Sequence, residues 1–357
     1  MLTSFSVRSF RCFTELTVEP LERINLIAGM NNVGKSSLLE AIILHCIPDR
    51  PRLWVKVHKL RGIPDPLESI EEIAEWLFNQ ALVDREIAME SRDSEDQTRA
   101  TSLRLIEAAD SRIKFSDLEK TIAQYAPMLA GADVPRLILR YSIDGRVYES
   151  VVSAAKIKGQ SPQSLDSVAP KKIRTLFIGS LVSDEDRDVA NFEALDSQKR
   201  LHEILPALQE LEPDLHRLSL LHFAGKPRIH ADVARLRKLV PLSVIGEGFR
   251  RLLSILAAIA NVPDGIVCID EIENGLHYSV LPRIWRAIAQ AARRANVQIF
   301  ATTHSWDCLR AAHEAFSGDG IYDFRLFRLD RIGDRITATA YDRESLESSL
   351  ELGFEVR

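Results

Sequence analysis

The residues whose types and spacing best suit a chemical task are Gly29-Met-Asn-Asn-Val-Gly34-Lys35-Ser36-Ser37, which fulfil GxxxxGK[ST]. Glycines at 29 and 34 let successive backbone N–H groups curl around a phosphate. Lys35 reaches the β and γ oxygens, and the Ser36 hydroxyl can ligate Mg²⁺. Asn31, Asn32 and Ser37 complete the expected nucleotide-binding set. A second group lies far downstream in Gly265-Ile-Val-Cys-Ile-Asp270-Glu271, an apolar run that ends in two carboxylates. Asp270 is suited to the metal shell, and Glu271, pointing differently, to polarising an attacking water. Third, Val297-Gln-Ile-Phe-Ala-Thr302-Thr303-His304-Ser305 sets a histidine just past another apolar run, where a group that senses a γ-phosphate is expected. Taken singly these are a glycine turn, an acidic surface turn and a loop histidine. Together they describe one site for a nucleoside triphosphate.

Such a site needs strands that end together and a helix that starts at the glycine loop. Phe5 and Val7 alternate with polar neighbours, as do Leu16 and Val18, and residues 23–28 form a short apolar run, so three strands open the chain. Leu38, Leu39, Ile42 and Ile43 then recur at helical spacing until Pro48 and Pro51. Residues 49–169 change character. Prolines separate short amphipathic stretches such as Ile70, Ile73, Ala74, Leu77 and Phe78, which reads as an inserted helical lobe; Arg136 to Val152 reads as a hairpin turning at Asp144-Gly145, and Lys156 to Ser167 as a polar connection. Regular alternation resumes at Ile173. Helices are expected over Leu201–Leu211, Phe249–Ile259 and Ser279–Arg294, strands over Ile266–Ile269 and Val297–Ala301, and a closing hairpin and helix over Phe324–Leu352. The expected fold class is therefore α/β: a core of residues 1–48 and 170–357 around a mostly parallel sheet with N-terminal antiparallel strands, split by the 49–169 lobe.

Composition agrees with a globular chain: 357 residues, 46% hydrophobic and 27% charged. A net charge of -5 does not point to DNA, so any such contact would be local, at Lys171, Lys172 and Arg174, at Arg235, Arg237 and Lys238, or at Arg293 and Arg294. Four scattered cysteines form no CxxC pair, and neither a signal peptide nor a membrane span is legible. A cytoplasmic protein without a membrane partner is expected.

The motifs together resemble an ABC-type ATPase of the SMC, RecF and OLD (overcoming lysogenisation defect) group, and most of all the compact AAA-type ATPases of the OLD family. The resemblance rests on Phe10-Arg-Cys-Phe13, the loop from Gly29 to Ser37, Gly246-Glu-Gly-Phe-Arg-Arg-Leu252, Asp270-Glu-Ile-Glu-Asn-Gly-Leu-His277 and Thr302-Thr-His-Ser305. It implies ATP and Mg²⁺ as ligands, a signature loop at Gly246, Glu247 and Gly248 that meets the γ-phosphate held by a second subunit, a D-loop with Asn274 and His277, and His304 as a switch histidine that acts with Lys35 and Glu271. It also implies a head-to-tail dimer or higher even oligomer. The signature loop departs from LSGGQ, with glycine at 246 and Glu247 between the glycines.

Long heptad arms are missing, and no DxD triplet follows His304, so neither DNA tethering nor an internal nuclease centre is expected. The resemblance then points to a switch that controls a separate effector, a Toprim-like nuclease in antiphage defence. The competing expectation is a RecF-like repair ATPase whose nucleotide state controls DNA binding. A P-loop kinase would leave Gly246 to Gly248 and His304 unexplained.

Overall fold

The computed structural model describes residues 1–48, 53–54, 57, 75–82, 85–106, 136–153, 173–180, 185–223, 225–318 and 320–352. Its centre is a six-stranded sheet built from β3 (Ile24–Gly29), β8 (Thr175–Ile178), β12 (Ile266–Ile269), β13 (Gln298–Thr302), β14 (Phe324–Ile332) and β15 (Arg335–Tyr341), in the order β15-β14-β3-β13-β12-β8. All neighbours but the β14–β15 hairpin pair are parallel. Every residue of β3, β12 and β13 is buried, as in a sheet covered on both faces.

Alternate side chains feed two cores. Ile24, Leu26, Val267, Ile269, Ile299 and Ala301 face helices α3 (Glu247–Asn261), α4 (Leu281–Arg294) and α5 (Trp306–Ser317). Ile27, Ile266, Cys268, Phe300 and Phe327 face α1 (Lys35–Cys46). That first helix is buried from Ser37 to Cys46 on every side. A helix apolar all round has no face for water, and α1 is covered on its far side by a second sheet. β1 (Leu2–Phe10), β2 (Phe13–Val18), β4 (Ile87–Asp93), β5 (Thr98–Ile106), β6 (Arg136–Ile143) and β7 (Arg146–Ser153) form it, all antiparallel, in the order β2-β1-β4-β5-β6-β7. A three-stranded sheet of β9 (Leu215–Phe223), β10 (Lys226–Val233) and β11 (Val240–Pro241) and a helix α2 (Glu185–Ser197) pack beside α3.

The sequence reading needs correcting at two places. The segment 49–169, expected as a helical lobe, carries four strands among its described residues, and they continue the N-terminal hairpin as one sheet. The hairpin turning at Asp144-Gly145 is present, with both turn residues at positive φ. Most of the helix expected around Ile70 to Phe78, and all of 156–167, lie outside the described residues. The single helix expected over Leu201–Leu211 is a 3₁₀ turn at Leu201–Glu203 followed by a short helix at Leu205–Gln209; Pro206 enters it at the first turn, where a missing N–H is tolerated.

Two polar side chains of α1 face the second sheet. Glu40 pairs with Arg11 at 3.1 Å. His45 lies between two hydroxyls, with Nδ1 2.9 Å from Thr101 Oγ1 and Nε2 2.8 Å from Ser91 Oγ. Burial, with the nearby Arg99 charge adding to it, pushes the His45 imidazole down to about 3. The unfolded chain thus takes up a proton near pH 6.5 that the folded one refuses, so His45 costs nothing above about pH 7 and progressively destabilises the fold as pH falls towards 3. Between pH 7 and pH 5 this single group is expected to remove about 2 kcal/mol of stability. His45→Gln should flatten that part of the profile, as read from denaturant midpoints at the two pH values.

Candidate nucleotide site

The carboxyl ends of β3, β13 and β12 lie side by side, and each carries one of the sequence motifs. Ligands in open α/β sheets bind at that edge. The turn from β3 into α1 is possible because of its glycines. Gly29 has φ 144° and Gly34, the helix N-cap, φ 95°. A Cβ on Gly29 would stand 2.6 Å from the Leu329 carbonyl oxygen; one on Gly34 would stand 2.6 Å from Cys12 Sγ and 2.8 Å from the Phe13 ring. The hairpin residues Cys12 and Phe13 are thus the rear wall of the loop, a role their sequence does not announce. Asn32 also has positive φ, and its carbonyl accepts from Arg331 at 3.0 Å, while Asn31 is exposed and Ser37 is buried at the start of the helix.

Lys35 turns back over the loop, its Nζ donating to the carbonyls of Gly29 at 2.7 Å and Met30 at 2.9 Å. Burial lowers the Lys35 ammonium from its ordinary value, and the carboxylates of Asp270, Glu271 and Glu273 pull it back up. The next residue makes the link on which the site turns: Ser36 Oγ donates to both oxygens of Asp270, at 3.0 and 2.9 Å, across 234 positions of sequence. A hydroxyl and a carboxylate so placed are the hard oxygen donors that Mg²⁺ takes from a protein when phosphates and water supply the rest.

β13 fixes the acidic turn. Thr302, wholly buried, donates from Oγ1 to Asp270 Oδ1 at 2.6 Å and accepts the Glu271 amide at 2.8 Å. Glu271 has φ 47°, a conformation that costs a non-glycine residue on the order of 1–3 kcal/mol unless its surroundings hold it. The second holder is Arg251 on α3, which donates to the carbonyls of Gly179 at 2.7 Å, Asp270 at 2.6 Å and Glu271 at 3.1 Å. Burial, with the Arg187 charge next, lowers the Arg251 guanidinium. Held from both sides, the turn leaves the Glu271 side chain 39% exposed and His304 55% exposed, with His304 Nδ1 4.0 Å from Glu271 Oε1. That arrangement can bind a triphosphate, hold a cation beside it and offer a carboxylate to a water.

Gly246 to Gly248 form the entry to α3, and they meet the Asn274–His277 loop of the same chain. A Cβ on Gly248 would stand 2.9 Å from the Gly275 carbonyl, and one on Gly275 would stand 2.8 Å from Glu247 Cγ. Glu247 pairs with Arg250 at 3.1 Å; Asn274 Nδ2 donates to the Ser180 carbonyl at 2.8 Å, and His277 Nδ1 lies 2.9 Å from Ser279 Oγ. Of the basic clusters, Arg235 is engaged by Glu212 and Asp214 and Arg293 by Asp323, while Lys171 and Lys172 lie outside the described residues.

Residues 61–307, about two thirds of the chain, match the family described as "AAA domain, putative AbiEii toxin, Type IV TA system". The chain belongs to this AAA-domain family. Membership makes it an ATPase whose substrate is a nucleotide. The matched span holds Gly246 to Gly248, Asp270, Glu271 and His304, and the glycine loop precedes it.

Over 98% of both chains, this AAA protein is 22% identical to a Helicobacter pylori protein named ATP/GTP phosphatase. Over 114 residues, 32% of this chain and 99% of the other, it is 30% identical to an uncharacterised protein of Methanocaldococcus jannaschii. Among solved structures it is similar to an Smc head bound to the C-terminal winged-helix domain of ScpA (TM-score 0.48, 12% identity, covering 97% of this chain and 99% of that one). The SMC head domain of Thermotoga maritima gives a TM-score of 0.47 at 13% identity, with 96% and 99% covered.

Thr302→Val keeps the shape of the buried side chain and removes both of its hydrogen bonds. It is expected to lower ATP turnover roughly 10- to 100-fold, the usual cost of losing an outer partner of a ligand. Binding of a fluorescent ATP analogue should stay within a few-fold of wild type.

Proposed function

We propose that the chain is a Mg²⁺-dependent ATP switch that closes as a head-to-tail dimer and conveys its nucleotide state to a separate effector. The observation that carries the catalytic part is the Ser36–Asp270 contact with Glu271 beside it. In this reading the glycine loop and Lys35 bind the β- and γ-phosphates, and Ser36 and Asp270 hold the cation, which when bound neutralises developing phosphate charge. Glu271 accepts the proton of the attacking water, and His304 faces the γ-phosphate. Thr302 and Arg251 hold the Glu271 backbone amide and carbonyl, which supports its role as base because the residue's place in the turn is set before substrate arrives. The name of the Helicobacter pylori relative, ATP/GTP phosphatase, agrees with hydrolysis.

The dimer is supported by apolar side chains left exposed on or next to the loops it would join. Met30 on the glycine loop is 74% exposed, Val244 just before the Gly246–Gly248 loop 65%, and Tyr278 just after the Asn274–His277 loop 63%. A second copy turned head to tail would cover these apolar side chains and bring its Gly246, Glu247 and Gly248 to the γ-phosphate. A phosphate touched by both subunits stabilises only the closed form, so its cleavage reopens the pair. For the effector the resemblance to OLD-type systems supports a Toprim-like nuclease in antiphage defence, an argument from analogy.

Wild-type protein with Mg²⁺ is expected to turn over ATP; Glu271→Gln should retain ATP binding and lose turnover by roughly 10²- to 10⁴-fold, the usual worth of a general base. Lys35→Ala should fail to bind. With ATP present, Glu271→Gln should sediment as a dimer, and a monomer under those conditions would overturn the head-to-tail reading while leaving the hydrolysis result intact.

A further inference from the structure

Two residues beyond the catalytic carboxylate stands a second glutamate that the scheme above does not use. The Glu273 side chain is only 11% exposed, against 39% for Glu271. One of its oxygens, Oε1, collects everything β13 offers past its end: it accepts from Thr303 Oγ1 at 2.8 Å and from the backbone N–H of His304 at 3.1 Å, and it stands 3.5 Å from His304 Nδ1. The other, Oε2, is buried with no hydrogen-bond partner among the described residues. Burying a carboxylate with one oxygen unsatisfied costs stability. A glutamine, or an apolar side chain, would avoid the burial of charge, so the position has no packing reason to be acidic.

We infer that Glu273 is the positioning residue for His304, holding the imidazole with Nδ1 turned inward so that Nε2 is the nitrogen presented to the nucleotide. This rests on the reading of His304 as the group facing the γ-phosphate. The physical case is one of restraint. His304 is 55% exposed, and an exposed imidazole on a strand end samples several rotamers and both tautomers. Glu273 Oε1 accepts from the backbone N–H of the same residue at 3.1 Å and stands 3.5 Å from its Nδ1, a charge contact rather than a hydrogen bond, so it holds the main chain and biases the ring. Thr303 in turn fixes the carboxylate. With Nδ1 the ring nitrogen nearer the carboxylate, a neutral ring is favoured to carry its proton there, as in metal-ligating histidines whose second nitrogen meets a carboxylate. Nε2, across the ring, is then the nitrogen that meets a phosphate oxygen. Glu273 touches neither nucleotide nor water in this scheme, and acts only through His304.

The His304 backbone N–H can only donate, so the partner atom at that point must be an acceptor. Glu273→Gln would therefore place its amide oxygen where Oε1 now lies and preserve the orientation, whereas Glu273→Leu would delete it. Two measurements on the full chain test the inference. In ¹⁵N-histidine-labelled protein without nucleotide, the His304 ring, identified by its loss in His304→Gln, is expected to show the Nδ1–H tautomer in wild type and in Glu273→Gln, and to lose that preference in Glu273→Leu.

In steady-state hydrolysis, Glu273→Leu is expected to lower kcat roughly tenfold with KM unchanged, Glu273→Gln to recover most of that loss, and Glu273→Leu to cost nothing further in a His304→Ala background. An Nε2–H tautomer in wild type would overturn the inference, even if the leucine variant failed to fold; so would equal losses from Glu273→Leu with and without His304. Absence of hydrolysis by wild type would count against the ATPase scheme alone, since the tautomer is read without turnover.

Discussion

The parallel pairing of β3, β13 and β12 is the constraint on which the rest depends. Ile27 stands opposite Thr302, and Ala301 opposite Ile269, so the three strands run out at one level. That level sets the chemistry. The glycine loop after the first strand and the carboxylate pair after the third meet where the strand between them ends in a small side chain that holds the acidic turn. Thr302 is that side chain: Oγ1 reaches Asp270 and the Glu271 amide in the same turn. A one-residue slip of β13 would turn that hydroxyl to the other face of the sheet. The register of an otherwise ordinary buried strand is therefore a determinant of where the Asp270-Glu271 turn sits.

Behind the loop, the antiparallel sheet does more than cover α1. Its hairpin presses Cys12 and Phe13 against Gly34, leaving no room for a side chain at the N-cap. The helix that carries Lys35 and Ser36 is thus fixed at its start by the hairpin and along its length by two apolar faces. Its polar members, Glu40 and His45, are each answered by a partner on the second sheet or its hairpin. The two cores meet through the central sheet, and the site lies at the edge where they join.

Much of this was legible in the residues, for reasons that differ by element. The glycine loop needs particular residue types at particular places, so its position could be read directly, as could the buried runs that end at Asp270 and at Thr302. The strands β4 and β5 could not, because their inward positions include Ser91, Arg99 and Thr101, polar residues that break the alternation expected of a half-buried strand. Those residues face inward to serve His45 and Tyr141, partners supplied only by the tertiary fold. Glu273 was hidden for a related reason. It lay inside a recognised motif, but its meaning comes from Thr303 and His304, just past the end of a strand about thirty residues away. Arg251 likewise reads as one of two arginines on a helix until its three backbone acceptors are seen.

The central sheet also has a consequence for how the chain is made. β3 pairs only with β13 and β14, whose residues leave the ribosome some 270 to 300 positions later. At synthesis rates of roughly 5–20 residues per second, Ile24–Gly29 waits on the order of tens of seconds with both of its edges unpaired. It is the most apolar strand of the N-terminal region, and its final contacts are among the most distant in sequence, the class that forms last and slowest. An isolated strand of this kind is a template for pairing with the wrong chain. The strand that leads into the glycine loop is therefore among the last of the N-terminal elements to find its partners, and it stays open to mispairing until β13 and β14 have been made.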